Sequence, residues 1–259
     1  MRRALDGSRA DAVIHLAGIA VPTLASADPV AAVRVNVLGT ATLLVALADS
    51  PSVRVVVASS ADVYGAPDRV PVAEDAPLRP ANVYAATKVA AEALAREAAA
   101  TRSAPVAILR PANQNGPRQH PGLAASAFAK QIAEAEAGVA EPIVRHGRLD
   151  AQRDFLDVRD MATAYAAALS LAEGGTFNVG SGRATTISEI LETLLAMARV
   201  PIRAELDPAR VRGGEPTRLA LDATRFRQRT GWSPRITLKD SLRDTLEYWR
   251  ATIRQGAIA

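Results

Sequence analysis

Tyr84 and Lys88 stand four residues apart in a stretch, 83–100, whose apolar spacing predicts a helix, so their side chains share one face. A free phenol has a pKa of about 10, too high for a base near neutrality, and an ammonium one turn away lowers it by stabilising the phenolate. Such a pair can pass a proton to or from a carbonyl or hydroxyl while a hydride moves. With four tyrosines in 259 residues and only Lys88, Lys130 and Lys239 as lysines, a Tyr-x-x-x-Lys also arises by chance, as a surface lysine beside a half-buried tyrosine. Ser60 adds context. It ends a β-branched run, 53–58, within Ala58-Ser59-Ser60-Ala61-Asp62-Val63-Tyr64-Gly65, and a hydroxyl at a strand's carboxyl end can hold the oxygen that Tyr84 protonates. The competing reading is a turn serine, which Ser59 satisfies equally well. Asp62 reads as a loop aspartate capping a turn.

These residues need elements to carry them. The sequence predicts a buried strand at 13–16 ending in Ala17-Gly18, then a helix over 29–49 with Asp28 as N-cap and Pro29 at its first position. Strand 53–58, helix 83–100 and strand 106–109, stopped by Pro111, follow. Strands alternating with helices predict an α/β fold, a parallel sheet with helices on both faces and its chemistry at the carboxyl ends of the strands. Those ends are Ala17-Gly18, Ser59-Ser60 and Arg110-Pro111-Ala112-Asn113. Beyond 114 the spacing predicts helix 123–138, a loop, a helix from near Asp157 and strand 176–179. Helix 187–199, a short strand at 202–206, an Arg/Gly/Pro-rich loop at 210–218 and a closing helix over 238–254 complete the chain. Residues 1–113 are therefore expected to form a cofactor and catalytic domain. Residues 114–259 are expected to form a smaller substrate lobe that returns a strand and a helix to the first. Gly180-Ser181-Gly182 reads as a helix-entry turn, with Ser188 among its caps.

Composition narrows the function. The net charge of +4 comes from arginines spread along the chain with few aromatics between them. That pattern argues against nucleic-acid binding, which needs a clustered basic face, and is compatible with a small phosphate-bearing ligand. With no cysteine there is no disulfide framework or thiolate metal site. His15, His120 and His146 are too scattered to form a metal site, and His15 reads as a core residue. No uninterrupted apolar run approaches the ~20 residues of a membrane span, and the first residues lack a secretory signal pattern. A cytoplasmic protein is the expectation.

His15-Leu16-Ala17-Gly18, Asn36-Val37-Leu38-Gly39-Thr40, the Ser59–Gly65 segment, Tyr84-Ala85-Ala86-Thr87-Lys88 and Leu109-Arg110-Pro111 resemble consecutive signatures of the extended short-chain dehydrogenase/reductase family. The resemblance runs from residue 1 to about 252. It implies Ser60, Tyr84 and Lys88 as the catalytic triad, NAD or NADP as cofactor, and Ala17 and Gly18 beside the cofactor ribose. Asn36 would support Lys88, although a helix-face polar residue satisfied locally accounts for it as well. The segments 111–119, 126–138 and 153–160 look most like GDP-4-dehydro-6-deoxymannose reductases. By that likeness Asn113 contacts substrate, Lys130, Arg153 and Arg212 face a nucleotide diphosphate, and Glu215 meets a sugar hydroxyl. The planar fork of arginine suits phosphate. Alternatively, Arg153 pairs with Asp157 or Asp160, and Arg212 is a solvated loop residue.

Ser60-Ala61-Asp62 departs from the Thr-x-Glu pattern of the family's dehydratases, so the resemblance implies reduction of a GDP-4-keto-6-deoxyhexose. A 4-epimerase using the same triad, or a non-catalytic chain that binds nucleotide sugar, are the alternatives. A homodimer through helices 29–49 and 83–101 is also implied, with Ala90, Ala91 and Ala98 either permitting close approach or packing on the sheet. One departure is large. No glycine-rich turn, whose N–H groups would reach a pyrophosphate, precedes Val13. The expectation is a Rossmann-type sheet lacking its first three strands, weak or absent NAD(P)H binding by this stretch, and a strand at Val13 left as a sheet edge.

Overall fold

The computed structural model describes residues 2–8, 10–50, 52–101, 105–211 and 218–256. In chain order, helix α1 (Arg2–Ser8), strand β1 (Ala12–His15), α2 (Pro22–Ala27) and α3 (Pro29–Val33) lead into a π-helical turn (Arg34–Leu38) and α4 (Gly39–Ala46). Next come β2 (Arg54–Ala58), a 3₁₀ turn (Ala61–Tyr64), α5 (Val83–Thr101), β3 (Val106–Pro111), β4 (Asn113–Asn115) and α6 (Ala124–Glu136). Then follow β5 (Ile143–His146), β6 (Gln152–Asp157), α7 (Val158–Ala168), β7 (Gly175–Val179), β8 (Ala184–Thr186) and α8 (Ile187–Leu195). The chain closes with β9 (Arg203–Leu206), a 3₁₀ turn (Pro208–Arg210), β10 (Arg218–Leu219), α9 (Thr224–Thr230) and α10 (Leu238–Arg254).

The main sheet is parallel, in the order β1-β2-β3-β7. Its central strands are apolar on both faces, as a sheet covered on both sides requires. On one side α4 and α5 pack Leu43, Leu47 and Ala98 against Val55, Val57 and Ile108. On the other, α7 and α9 bring Met161, Ala164 and Phe226 against Val56, Leu109 and Phe177. The result is the expected α/β, Rossmann-like layering. Among the described strands β1 is the edge, pairing only with β2 (Ala12 opposite Arg54), and Ile14 and Leu16 are exposed there. A second core holds α6, α8 and α10 together through Phe128, Ile132, Ile190, Leu194, Leu246 and Trp249. Beside it, β10-β6-β4 and β5-β9 form short parallel sheets, with β8 antiparallel on β6.

Several expectations are corrected. The stretch before Asp157, expected as a loop, contains β5 and β6. β6 reads Gln-Arg-Asp-Phe-Leu-Asp, and its charges hide a strand because they are satisfied by tertiary contacts. Asp154 is buried, and its carboxylate accepts from Ser181 N at 3.0 Å, Ser181 Oγ at 2.6 Å, Gly182 N at 2.9 Å and Leu221 N at 3.2 Å. Gly180-Ser181-Gly182 therefore closes over a carboxylate instead of opening a helix. The cap of α8 is Thr186, in a capping box with Glu189, rather than Ser188. Of the two carboxylates weighed as partners of Arg153, Asp157 caps α7 and binds Arg159, while Asp160 accepts from the backbone of Arg235 and Ile236.

The helix beginning at Pro29 is capped by Asp28, as expected, with Ala31 N donating to Asp28 Oδ1 at 2.9 Å. It is interrupted by the π turn, and over Pro29–Ala46 it is long and apolar enough, by length and composition alone, to cross a membrane. Val30, Val33, Leu38 and Val45 are exposed on it. On α5, Ala91 and Ala98 are buried and Ala98 packs on the sheet, which leaves Ala86, Ala93, Ala99 and Ala100 as its exposed alanines.

Candidate active site

The carboxyl end of β2 lies against the amino-terminal half of α5. Ser60 leaves the strand in extended conformation and caps the following 3₁₀ turn, its Oγ accepting from Asp62 N at 3.2 Å. Gly65 ends that turn at φ +57°, where a Cβ would lie 1.9 Å from the carbonyl oxygen of Arg79; only glycine fits. The Ser60 hydroxyl lies close enough to the Tyr84 phenol to favour its ionised form. Lys88 Nζ lies 5.8 Å from the centroid of the Tyr84 ring and donates to the carbonyl oxygen of Ala58 at 2.8 Å. The three side chains expected to act together are thus brought together.

Their electrostatics differ from the expectation that an ammonium would lower the tyrosine. Burial dominates and pushes the Tyr84 phenol up, the neighbouring Ser60 hydroxyl opposes this, and the charge of Asp62 adds to the rise. Burial also pushes Lys88 down to about 8, with the negative charge of Glu92 opposing. Desolvation penalises whichever form carries charge.

Asn36 sits in the π turn, a helix irregularity frequent at functional sites, and is buried. Its Oδ1 accepts from Ile19 N at 2.8 Å, and its Nδ2 donates to Ile19 O at 3.1 Å and Thr87 Oγ1 at 2.9 Å. Asn36 therefore ties the loop after β1 to α5, one residue from Lys88. Ala17 and Gly18 are exposed in that loop. A Cβ on Gly18 would sit 3.0 Å from Asn36 Oδ1 and 3.5 Å from Lys88 Nζ. His15 is half-buried, 3.1 Å from Thr40 Oγ1, and burial, with the charge of Lys88, lowers its pKa.

From Asp62 and Asn113 a cleft of about 480 Å³ opens toward the second core, lined also by Asn82, Phe128, Arg153 and the α6 amino terminus. Arg145, His146, Arg148 and Arg210 line it too. Sequence reasoning missed these four, and for three of them the available signal was the Arg145-His146-Gly147-Arg148 run. Lys130 does not join them: it sits 3.6 Å from Glu134 and over the Trp249 ring at 5.6 Å, at the α6–α10 contact. Arg212 and Glu215 lie outside the described residues. Also missed was the buried pair of Glu92 and Arg110; an acid four residues after Lys88, on the face that already carries Tyr84, was its signal.

Residues 1–245 match the family model described as GDP-mannose 4,6 dehydratase. A GDP-6-deoxy-D-mannose reductase of Pseudomonas aeruginosa is 39% identical over 249 residues, 95% of this chain and 82% of that protein. Among solved structures, RMD from Pseudomonas aeruginosa complexed with NADPH superposes with a TM-score of 0.87 at 37% identity, covering 93% of this chain and 82% of the other. The UDP-glucose 4-epimerase of Thermus thermophilus, complexed with NAD, does so at 0.85 and 29% identity, covering 96% and 80%. With its strand-end serine, its Tyr-x-x-x-Lys helix and this match along nearly its whole length, the chain belongs to the GDP-mannose 4,6 dehydratase family, among the extended short-chain dehydrogenases/reductases.

Proposed function

We propose that this protein is an NAD(P)-dependent reductase of a nucleotide-linked 4-keto-6-deoxyhexose, with a GDP sugar as the substrate its 39% identical relative suggests. The observation that carries the reading is the meeting of Ser60, Tyr84 and Lys88, with Lys88 Nζ 5.8 Å from the Tyr84 ring centroid, at the mouth of an arginine-lined cleft. The nicotinamide group, when bound, supplies hydride. Ala17 and Gly18 are small and exposed beside Lys88 Nζ, and this cradle, which a Cβ would fill, fits the ribose of such a cofactor. Tyr84 gives its proton to the carbonyl oxygen as that oxygen gains charge, and a phenol whose burial keeps it protonated suits a donor. Ser60 holds the same oxygen in line. Lys88 steadies the phenolate left behind, and Asn36 fixes the loop and helix around it. Arg153, with Arg148 and Arg210, meets the diphosphate, and Asn113 meets the sugar at the cleft entrance. This assigns residues 1–113 to cofactor and chemistry and most of 114–259 to substrate. Two copies pair through the apolar helix 29–46 and the outer face of α5.

The test is a turnover assay in which the protein receives NADPH or NADH with GDP-4-keto-6-deoxymannose and its UDP and dTDP counterparts. Net oxidation of the reduced cofactor with formation of a 6-deoxyhexose is the expected result. Interconversion of C4 epimers without net cofactor consumption would replace the reading with an epimerase. Sugar-nucleotide binding without turnover would replace it with a binding protein.

A further inference from the structure

Beneath the candidate site lies a buried charge system that the proposed reaction leaves without a task. Glu92 is fully buried on α5. Its carboxylate accepts Arg110 Nε at 2.9 Å and Nη2 at 2.8 Å, and also bonds Arg96. Arg110 in turn donates from Nη1 to Tyr64 OH at 2.7 Å and to the Glu74 carbonyl at 3.0 Å, and Tyr64 donates to Asn178 Oδ1 at 2.7 Å. Burial alone would push the Glu92 carboxyl up, but the hydrogen bonds and charge of Arg110 hold it below its ordinary value. A buried ion pair is weak evidence for stability, because desolvation consumes most of its attraction. Its placement is more informative.

Three consecutive residues, the last of β2 and the two after it, each meet a different turn of α5. Ala58 O accepts Lys88 Nζ at 2.8 Å, Ser59 Oγ donates to Glu92 Oε1 at 2.5 Å, and the Ser60 hydroxyl lies beside the Tyr84 phenol. Ser59 and Ser60 are adjacent, so holding the Ser59 side chain on α5 restricts where Ser60 can stand. Residues 84, 88 and 92 lie on one helix face. We infer that Glu92 is a positioning residue for this site: through Ser59 it clamps the strand end onto α5 in the register that joins Ser60 to Tyr84, and it sets a negative charge one helical turn from Lys88. This rests on the proposed role of the triad. The groups that face Lys88 are Glu92 and Tyr84 on its own helix and His15 from β1. Those that face Glu92 are Arg96 on α5, Arg110 from β3 and Ser59 from β2.

The test reads both roles. Lysines labelled at Cε give three NMR titrations, those of Lys88, Lys130 and Lys239, with Lys88 identified by Lys88→Arg. The Lys88 midpoint is expected near 8, and Glu92→Gln lowers it by about one unit while the other two lysines stay fixed. Ser59→Ala keeps both charges, so the midpoint holds, but kcat falls about tenfold with KM changed less than about twofold, and Ser59→Thr restores it. An unmoved Lys88 midpoint in Glu92→Gln overturns the inference, as does a Ser59→Ala protein that loses thermal stability at unchanged kcat. If Glu92→Gln fails to fold, the two Ser59 variants decide. The titration needs no substrate, so a chain that turns over no nucleotide sugar would refute the reductase reading while leaving this inference separately testable.

Discussion

Lys88 and Tyr84 share one buried pocket, and burial moves them in opposite directions: the ammonium falls to about 8 and the phenol rises. For Lys88 the linkage to stability follows. Between about 8 and its unfolded value near 10.4, the unfolded chain binds more protons at this residue than the folded chain does. Stability therefore rises with pH across that window, and below it the buried ammonium costs the fold a constant amount. Lys88→Met removes that cost at pH 7. The melting temperature is expected to rise by about 2–4 °C while turnover is lost, with the gain disappearing above about pH 10. Calorimetry at pH 7 and pH 10 checks both halves. Tyr84→Phe leaves the cleft intact and is expected to cut kcat about 10²–10⁴-fold with nucleotide-sugar affinity unchanged, read by steady-state kinetics beside calorimetric titration. The spacing of Tyr84 and Lys88 told which residues would meet. It could not tell that both would be dry, because desolvation depends on packing from Asn36 and β2, which lie far away in the chain.

At the scale of elements, Asp28-Pro29 opened its helix, the β-branched run before Ser59 formed β2, and the amphipathic 238–254 segment formed α10. All were legible because local chemistry and tertiary role agree there. β6 was not, since Arg153, Asp154 and Asp157 break its apolar pattern. Their satisfaction comes from partners such as Ser181 and Leu221, distant in sequence. The cleft arginines stayed hidden for the same reason, because Arg145 and Arg148 flank the end of a strand that was read as loop. The four donors around Asp154 make that residue sensitive. Asp154→Ala takes their acceptor from three backbone N–H groups, that of buried Leu221 among them, and from a hydroxyl, and is expected to cost about 2 kcal/mol or more. Urea unfolding measures this, and a loss under about 1 kcal/mol would show that the Gly180-Ser181-Gly182 closure is not held by the carboxylate.

For the whole molecule, the exposed Val30, Val33, Leu38 and Val45 along α3, the π turn and α4 form the apolar surface of the proposed dimer. Light scattering at tens of micromolar is expected to give twice the mass of 27.2 kDa, and Val30→Asp with Val45→Asp to give the monomer; a monomer mass for the unaltered protein removes the pairing. The order in which the main sheet is filled has another consequence. β3 lies between β2 and β7, and β7 follows only after α6, β5, β6 and α7. During synthesis at about 5–20 residues per second, the stretch from Pro111 to Gly175 takes roughly 3–13 s to make. Throughout that interval the nascent chain presents the open side of β3, with Arg110 still lacking the Asn178 end of its network. An unpaired apolar strand edge attracts other strands. The growing polypeptide is therefore most exposed to mispairing on the ribosome during the very seconds in which the segment from α6 to α7 is being made.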